Sequence, residues 1–262
     1  MVEAGNGTVG FQGEPGAWGE EAAAHLAPGL PAVGLPSFDA VFEAVRAGDV
    51  GLGVVPVENV YAGPVDGQAE RWWRHRLFIV GDLWLPIHHV LAGLPGSRLE
   101  EIRVVRSHPQ ALRQCAPYLE RHGFQAVPST NTATAAREVR AAGDARTAVL
   151  ASPAAAARFG LHVLDANVSA APENRTRFWL LARDPLGSTA MGEHRITGVL
   201  TVSDPGTAAR ALSRLRGEGM RLRRLLPLNA RHLLVEAVAP GPLTCAPDLD
   251  PLSRYRRAAL QP

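Results

Sequence analysis

A chain of 262 residues, 46% apolar and 20% charged, has room for one large domain or two modest ones and can bury a sizeable core. A formal net charge of +2 exerts no strong pull on nucleic acid, and no apolar run approaches the roughly 18 residues that a membrane span requires. All 27 basic residues are arginine, which rules out lysine Schiff-base chemistry.

Taken in order, Thr8 to Phe11 reads as a strand, followed by a Gly/Pro loop and a helix from about Gly19 to Leu26. Phe38 to Ala47 has helical periodicity, with Phe38, Val41, Phe42 and Val45 on one face. Gly51 to Val57 is a short apolar strand that runs into Glu58, and Leu77 to Leu85 is another. A second βα series follows, with strands near Arg103–Arg106, Gln125–Val127 and Thr147–Leu150. Its helices end near Arg121, span Thr132 to Ala142, and span Pro153 to Phe159. This alternation predicts a parallel α/β architecture. Residues 185–194 read as a linker. Ile196–Ser203, Ala208–Leu215, Leu222–Leu228 and Leu233–Val238 then give a β-α-β-β module over 195–240, with a Pro-rich tail at 241–262 and no clear fourth strand. Cys115 and Cys245 fit neither a metal-ligand spacing nor a disulfide framework, and the first residues lack the regions of a signal peptide. A reducing cytoplasm is the expected location.

Three polar clusters stand at strand-to-loop junctions, where α/β folds place ligand groups. Glu58-Asn59 ends an apolar strand, although Asn also favours turns and a carboxylate there suits an arginine partner. Ser107-His108-Pro109-Gln110 opens a helix; Ser107 suits an N-cap, and Gln110 and Gln114 lie one turn apart. A helix start of this kind, like Asn131-Thr132, presents free N–H groups to an anion, with plain capping the alternative. Asn174-Arg175-Thr176-Arg177-Phe178 leads into Trp179-Leu180-Leu181. Strand alternation sends Thr176 and Phe178 to one side and Arg177 to the other, so Arg177 is expected to bond elsewhere or to reach around the edge.

Together these residues resemble the prephenate dehydratase family from about Thr8 to Arg183. Gly13-Glu14-Pro15-Gly16-Ala17-Trp18, Val54-Val55-Pro56-Val57-Glu58-Asn59, Ser107-His108-Pro109-Gln110 with Gln114-Cys115, Thr132 with Ala135-Ala136, and Thr176-Arg177-Phe178 follow in the family's order. The resemblance implies a two-lobed, periplasmic-binding-protein-like catalytic domain over 6–184 and a small α+β, ACT-like (ferredoxin-like) domain after it. It implies cofactor-free conversion of prephenate to phenylpyruvate, with no metal, nucleic acid or membrane involved, by a homodimer or homotetramer. Thr176 is the implied proton donor. Asn59, Ser107 and Thr132 would hold carboxylates, Glu58 and Gln114 would position polar groups or water, and His108, Gln110, Asn174, Arg177 and Phe178 would complete the substrate site.

The chain departs from the family pattern at Gly19 and Val60, where hydroxyl residues are usual. Gly206-Thr207-Ala208-Ala209 and Arg224-Leu225-Leu226-Pro227 replace the ACT-domain phenylalanine-binding signature. Arogenate dehydratase is the nearest alternative activity, and a non-catalytic sensor on the same fold is the alternative from another class.

Overall fold

The computed structural model describes residues 7–169, 173–184, 194–202, 205–217, 219–239 and 250–255. The first lobe is built from β1 (Val9–Gln12), α1 (Trp18–Leu26), β2 (Ala32–Leu35), α2 (Phe38–Ala47), β3 (Leu52–Asn59), β4 (Gly63–Pro64), α3 (Gln68–His75) and β5 (Phe78–Pro86). Helix α2 illustrates the local logic. The Ser37 hydroxyl accepts a hydrogen bond from the Ala40 N–H at 3.1 Å, Val41, Phe42, Ala44 and Val45 are buried, and Gly48 closes the helix at φ +87°.

The second lobe comprises β6 (Val90–Gly93), β7 (Val104–Ser107), α4 (Pro109–Gln114), α5 (Ala116–His122), β8 (Gln125–Pro128), α6 (Thr132–Ala142), β9 (Thr147–Ala151), α7 (Pro153–Arg158) and β10 (His162–Asp165). Its sheet order is β10-β6-β9-β7-β8. The chain then returns to the first lobe as β11 (Arg175–Ala182), which completes the order β2-β1-β3-β11-β5. Two crossings therefore join the lobes, and they touch where the Ile87 N–H donates to the Asn174 carbonyl at 2.8 Å.

The expectation of parallel sheets holds within each βα series: β1, β2 and β3 are parallel, as are β7, β8 and β9. It fails at the crossings. β11 runs antiparallel to β3 and β5, and β6 and β10 run antiparallel to each other, because strands that carry the chain between lobes leave the one-way βα winding. The helix expected to reach Arg121 is divided at Cys115 into α4 and α5.

The C-terminal module contains β12 (His194–Thr201), α8 (Pro205–Gly217), β13 (Arg221–Asn229), β14 (His232–Ala239) and β15 (Asp250–Tyr255), in the antiparallel order β13-β14-β12-β15. That is the strand order of a split β-α-β arrangement. Strand β15 corrects the reading of 241–262 as a tail without a fourth strand. It lies at the sheet edge, where Pro251 is tolerated and the usual apolar alternation is not required. Apart from His194, the expected linker at 185–194 lies outside the described residues, as do Cys245 and most of the tail.

The cores differ in kind. Trp72, Trp179, Phe42, Leu77, Ile79 and Leu181 fill one side of the first lobe, and Val199 and Leu234 of the C-terminal module belong to the same cluster. One face of the second lobe is packed with small residues, including Ala135, Ala136, Ala151, Ala155 and Ala156 around Val139 and Val149, and the other with Leu91, Ile102, Tyr118, Leu119 and Leu150. Among the described residues no helix is long and apolar enough to cross a membrane.

Candidate active site

A cavity of about 340 Å³ lies between the lobes. The first lobe and the crossings contribute Gln12, Trp18, Gly19, Phe38, Asn59, Ile87, His89, Asn174, Thr176 and Phe178. The second contributes His108, Gln110, Gln114, Asn131 and Thr132. Eight of the substrate-site residues expected from sequence thus converge: Asn59, His108, Gln110, Gln114, Thr132, Asn174, Thr176 and Phe178.

At its centre is a network of amides. Asn59 is opposite Thr176 in the β3–β11 register. Its Oδ1 accepts from the backbone N–H groups of Tyr61 and Ala62, each at 3.0 Å, which fixes the orientation of the amide. Asn59 Nδ2 therefore points the other way. It donates to Asn174 Oδ1 at 2.8 Å and to Thr176 Oγ1 at 3.0 Å. Asn174, fully buried, passes the network on by donating from Nδ2 to Gln114 Oε1 at 3.2 Å. Because Thr176 Oγ1 is already an acceptor, its O–H proton is left to be donated.

Three expected site residues lie outside the cavity lining. Ser107 is the last residue of β7, and its buried hydroxyl donates to the Leu150 carbonyl at 2.6 Å. The N-cap of α4 is instead His108, whose Nδ1 accepts from the Gln110 N–H at 3.2 Å. The proton of the neutral ring thus sits on Nε2, and burial followed by nearby Arg113 holds the imidazole below its ordinary pKa. Arg177 and Glu58 take the opposite sheet face, as alternation dictates. Arg177 Nε bonds Asp82 at 2.7 Å and its Nη1 bonds Glu236 at 2.9 Å, while Glu58 pairs with Arg224.

Sequence reasoning missed His89, Trp18 and Gln12. His89 is 4% exposed, and burial first of all pushes its pKa down to about 4, so the ring is neutral. Gln114 lies against it, and Trp18 meets it edge-on with ring centroids 5.9 Å apart. His89 Nδ1 and Trp18 Nε1 are buried without partners among the described residues. The signal for His89 was present in the inward alternation Leu83, Leu85, Ile87, which leads directly to position 89.

The rim carries contacts between the lobes. Glu14 binds Arg137 through two bonds, at 2.8 and 3.0 Å, and accepts from the Thr134 hydroxyl at 3.2 Å. The Ser152 hydroxyl donates to the Gly16 carbonyl at 3.0 Å. Gly16 has φ +94°, and a Cβ there would lie 3.0 Å from Ala155 Cα, so only glycine allows this approach. At Gly19 a Cβ would stand 3.2 Å from the Phe11 ring, close enough that a serine or threonine would crowd it.

Two α/β lobes joined by paired crossings around a cleft of apolar walls and a few converging polar groups define a two-lobed ligand-binding fold. Within that class, the family model described as prephenate dehydratase matches residues 9–186, and the chain belongs to this family. Arogenate dehydratase/prephenate dehydratase 1, chloroplastic, of Arabidopsis thaliana is 37% identical over 206 residues, covering 78% of this chain and 53% of that protein. The chain spans about half the length of the curated relatives it matches. Among solved structures, prephenate dehydratase from Arthrobacter aurescens in complex with L-Phe superposes with a TM-score of 0.82 at 25% identity, covering 97% of this chain and 91% of that one. GqqA, described as a novel type of quorum quenching acylase, has a TM-score of 0.82 at 29% identity, covering 95% and 98%.

Proposed function

We propose that this chain is a prephenate dehydratase that converts prephenate to phenylpyruvate, carbon dioxide and water. The observation that carries this reading is Thr176. Its oxygen accepts from Asn59, and its remaining proton is free to be donated in a cavity whose lining, among the described residues, holds no carboxylate, arginine or lysine.

Thr176 donates its proton to the ring hydroxyl as the C–O bond breaks. The electron pair of the bond to the ring carboxylate moves into the ring as CO₂ leaves, and aromatisation drives both cleavages. One proton is consumed overall and is restored to Thr176 from solvent. General acid assistance of this kind is worth about 10²–10⁴-fold. Neutral donors hold the substrate: the N-terminus of α6, Gln114, and the unpartnered Nε1 of Trp18. A carboxylate placed among neutral groups lacks the solvation of bulk water, and its departure as CO₂ relieves that cost.

Arogenate is the second reading, favoured because relatives of 37–39% identity carry arogenate dehydratase in their names. A pure sensor would have no use for a proton-donating Thr176, and the acylase chemistry in the name of GqqA has no Ser or Cys nucleophile among the residues lining this cavity. The C-terminal module is an ACT-like domain in which phenylalanine control is weakened or lost. Its strand order supports the first half of that statement, and the pairing of Arg224 with Glu58 supports the second. Tight phenylalanine binding by calorimetry would overturn it. A cytoplasmic homodimer or homotetramer is the working assembly, since symmetric homo-oligomers are the commonest among soluble proteins.

The test is absorbance-detected phenylpyruvate formation by the purified chain, with arogenate and Thr176→Val in parallel. Turnover of prephenate that collapses in the variant supports the reaction and the donor. Activity on arogenate alone changes the substrate. Binding without turnover of either sinks the enzyme reading.

A further inference from the structure

The residues that flank the reactive pair are tied to the C-terminal module. In the β3–β11 register Thr176 pairs with Asn59, and the next pair is Arg177 with Glu58. The first pair belongs to the cavity and the second points out of the other sheet face. Arg177, 3% exposed, is bound by Glu236 of β14 through both carboxylate oxygens, at 3.0 and 2.9 Å, and by Asp82 of β5 at 2.7 Å. Glu58 is paired with Arg224 of β13. The ladder itself is irregular at this point: the register shifts between Arg177 and Phe178, so that Phe178 pairs with Pro56. A bulge re-aims side chains and removes ladder bonds that would otherwise fix them.

We propose that Glu236 and Arg224 are positioning residues for the dehydration, through which the C-terminal module holds the Thr176–Asn59 pair in register from behind. This rests on the reading of Thr176 as the proton donor. The anchors act through the backbone: Glu236 fixes Arg177 and with it the φ/ψ of its neighbour Thr176, and Arg224 does the same for Glu58 and Asn59. Displacement of a reacting group by about 1 Å is enough to cost on the order of 10²-fold in rate. The module in this role is a fixed buttress required in every turnover, and it needs no effector.

The experiment uses the full chain, well below its melting temperature, and compares Glu236→Gln, Glu236→Asp and Arg224→Gln with wild type in steady-state prephenate turnover. Glu236→Gln is expected to lower kcat about ten- to a hundredfold with KM within about twofold, because the buttress sets the aim of the donor and leaves the binding groups in place. Glu236→Asp, which keeps the charge, should recover part of the loss. Arg224→Gln, at the more exposed pair, should show a smaller loss of the same kind and keeps the test available if Glu236→Gln does not fold. The decisive readout is a double-mutant cycle: in a Thr176→Val background Glu236→Gln should lower the residual rate no further. A folded Glu236→Gln or Arg224→Gln with wild-type kcat overturns the positioning role and leaves the dehydratase reading intact, as does an undiminished effect in the Thr176→Val background. A wild-type chain that turns over neither prephenate nor arogenate overturns both.

Discussion

The two lobes solve the same topological problem with different material. The first is filled by Trp72, Trp179, Phe42 and Ile79, is joined from outside by Val199 and Leu234, and holds the Asn59–Thr176 pair. The second packs alanines against Val139 and Val149 on one face of its sheet and Ile102, Tyr118, Leu119 and Leu150 on the other, and meets its partner at the crossings and at rim contacts such as Glu14–Arg137. Aromatic bulk therefore backs the strands that carry Asn59 and Thr176, whereas small side chains let α6 and α7 lie close against β9. The contrast lies in how much volume is packed behind each side of the cleft.

The largest effect expected from breaking this contrast is at the Asn59–Thr176 pair of the first lobe. Thr176→Val should lower kcat by about 10²–10⁴-fold while ligand affinity, measured by calorimetry, changes little. Next comes packing. Trp179→Ala should cost about 3–5 kcal/mol in denaturant unfolding, against about 1–2 kcal/mol for Val139→Ala in the second lobe, where less volume is lost. Equal losses would erase the contrast between the cores.

His89 gives a pH-dependent effect at the boundary. Its pKa is lowered from 6.5 to about 4, so the unfolded chain takes up the proton first as pH falls. Stability should therefore decline from about pH 6.5 toward pH 4, by up to on the order of 3 kcal/mol from this group. His89→Gln should flatten that part of the melting-temperature profile. The smallest effect belongs to the rim. Glu14→Gln should raise KM by about two- to fivefold with kcat unchanged, in keeping with an exposed ion pair. Arg137 holds the Glu14 carboxyl below its ordinary value of 4.5, so the wild-type pair is intact above that value. As the pH falls through the lowered value, wild type should approach the variant in substrate binding.

Much of this was legible in the sequence. Helices α2 and α6 were bounded correctly because each has a clear cap, Ser37 or Asn131, and a glycine just beyond its end. Three polar clusters at strand-to-loop junctions marked the cleft, and the family resemblance that they carry supplied the eight residues found lining it. What stayed hidden depends on which way a side chain turns. Ser107 was expected to cap α4, but as the last strand residue it points into the sheet and bonds Leu150, leaving the cap to His108. Glu58 reads equally as a ligand group or as an arginine's partner, and which arginine is settled only when folding brings Arg224 from 166 positions away. Strand β15 is an edge strand, and edges escape the alternation by which strands are recognised.

Gly16 has a consequence for how the width of the cleft is set. With Ala155 Cα only 3.0 Å from where its Cβ would be, any larger residue there would act as a wedge between the two lobes. A single methyl at position 16 would therefore widen the cleft without removing any group that lines it. The bareness of one residue thus sets the spacing between the two halves of the site.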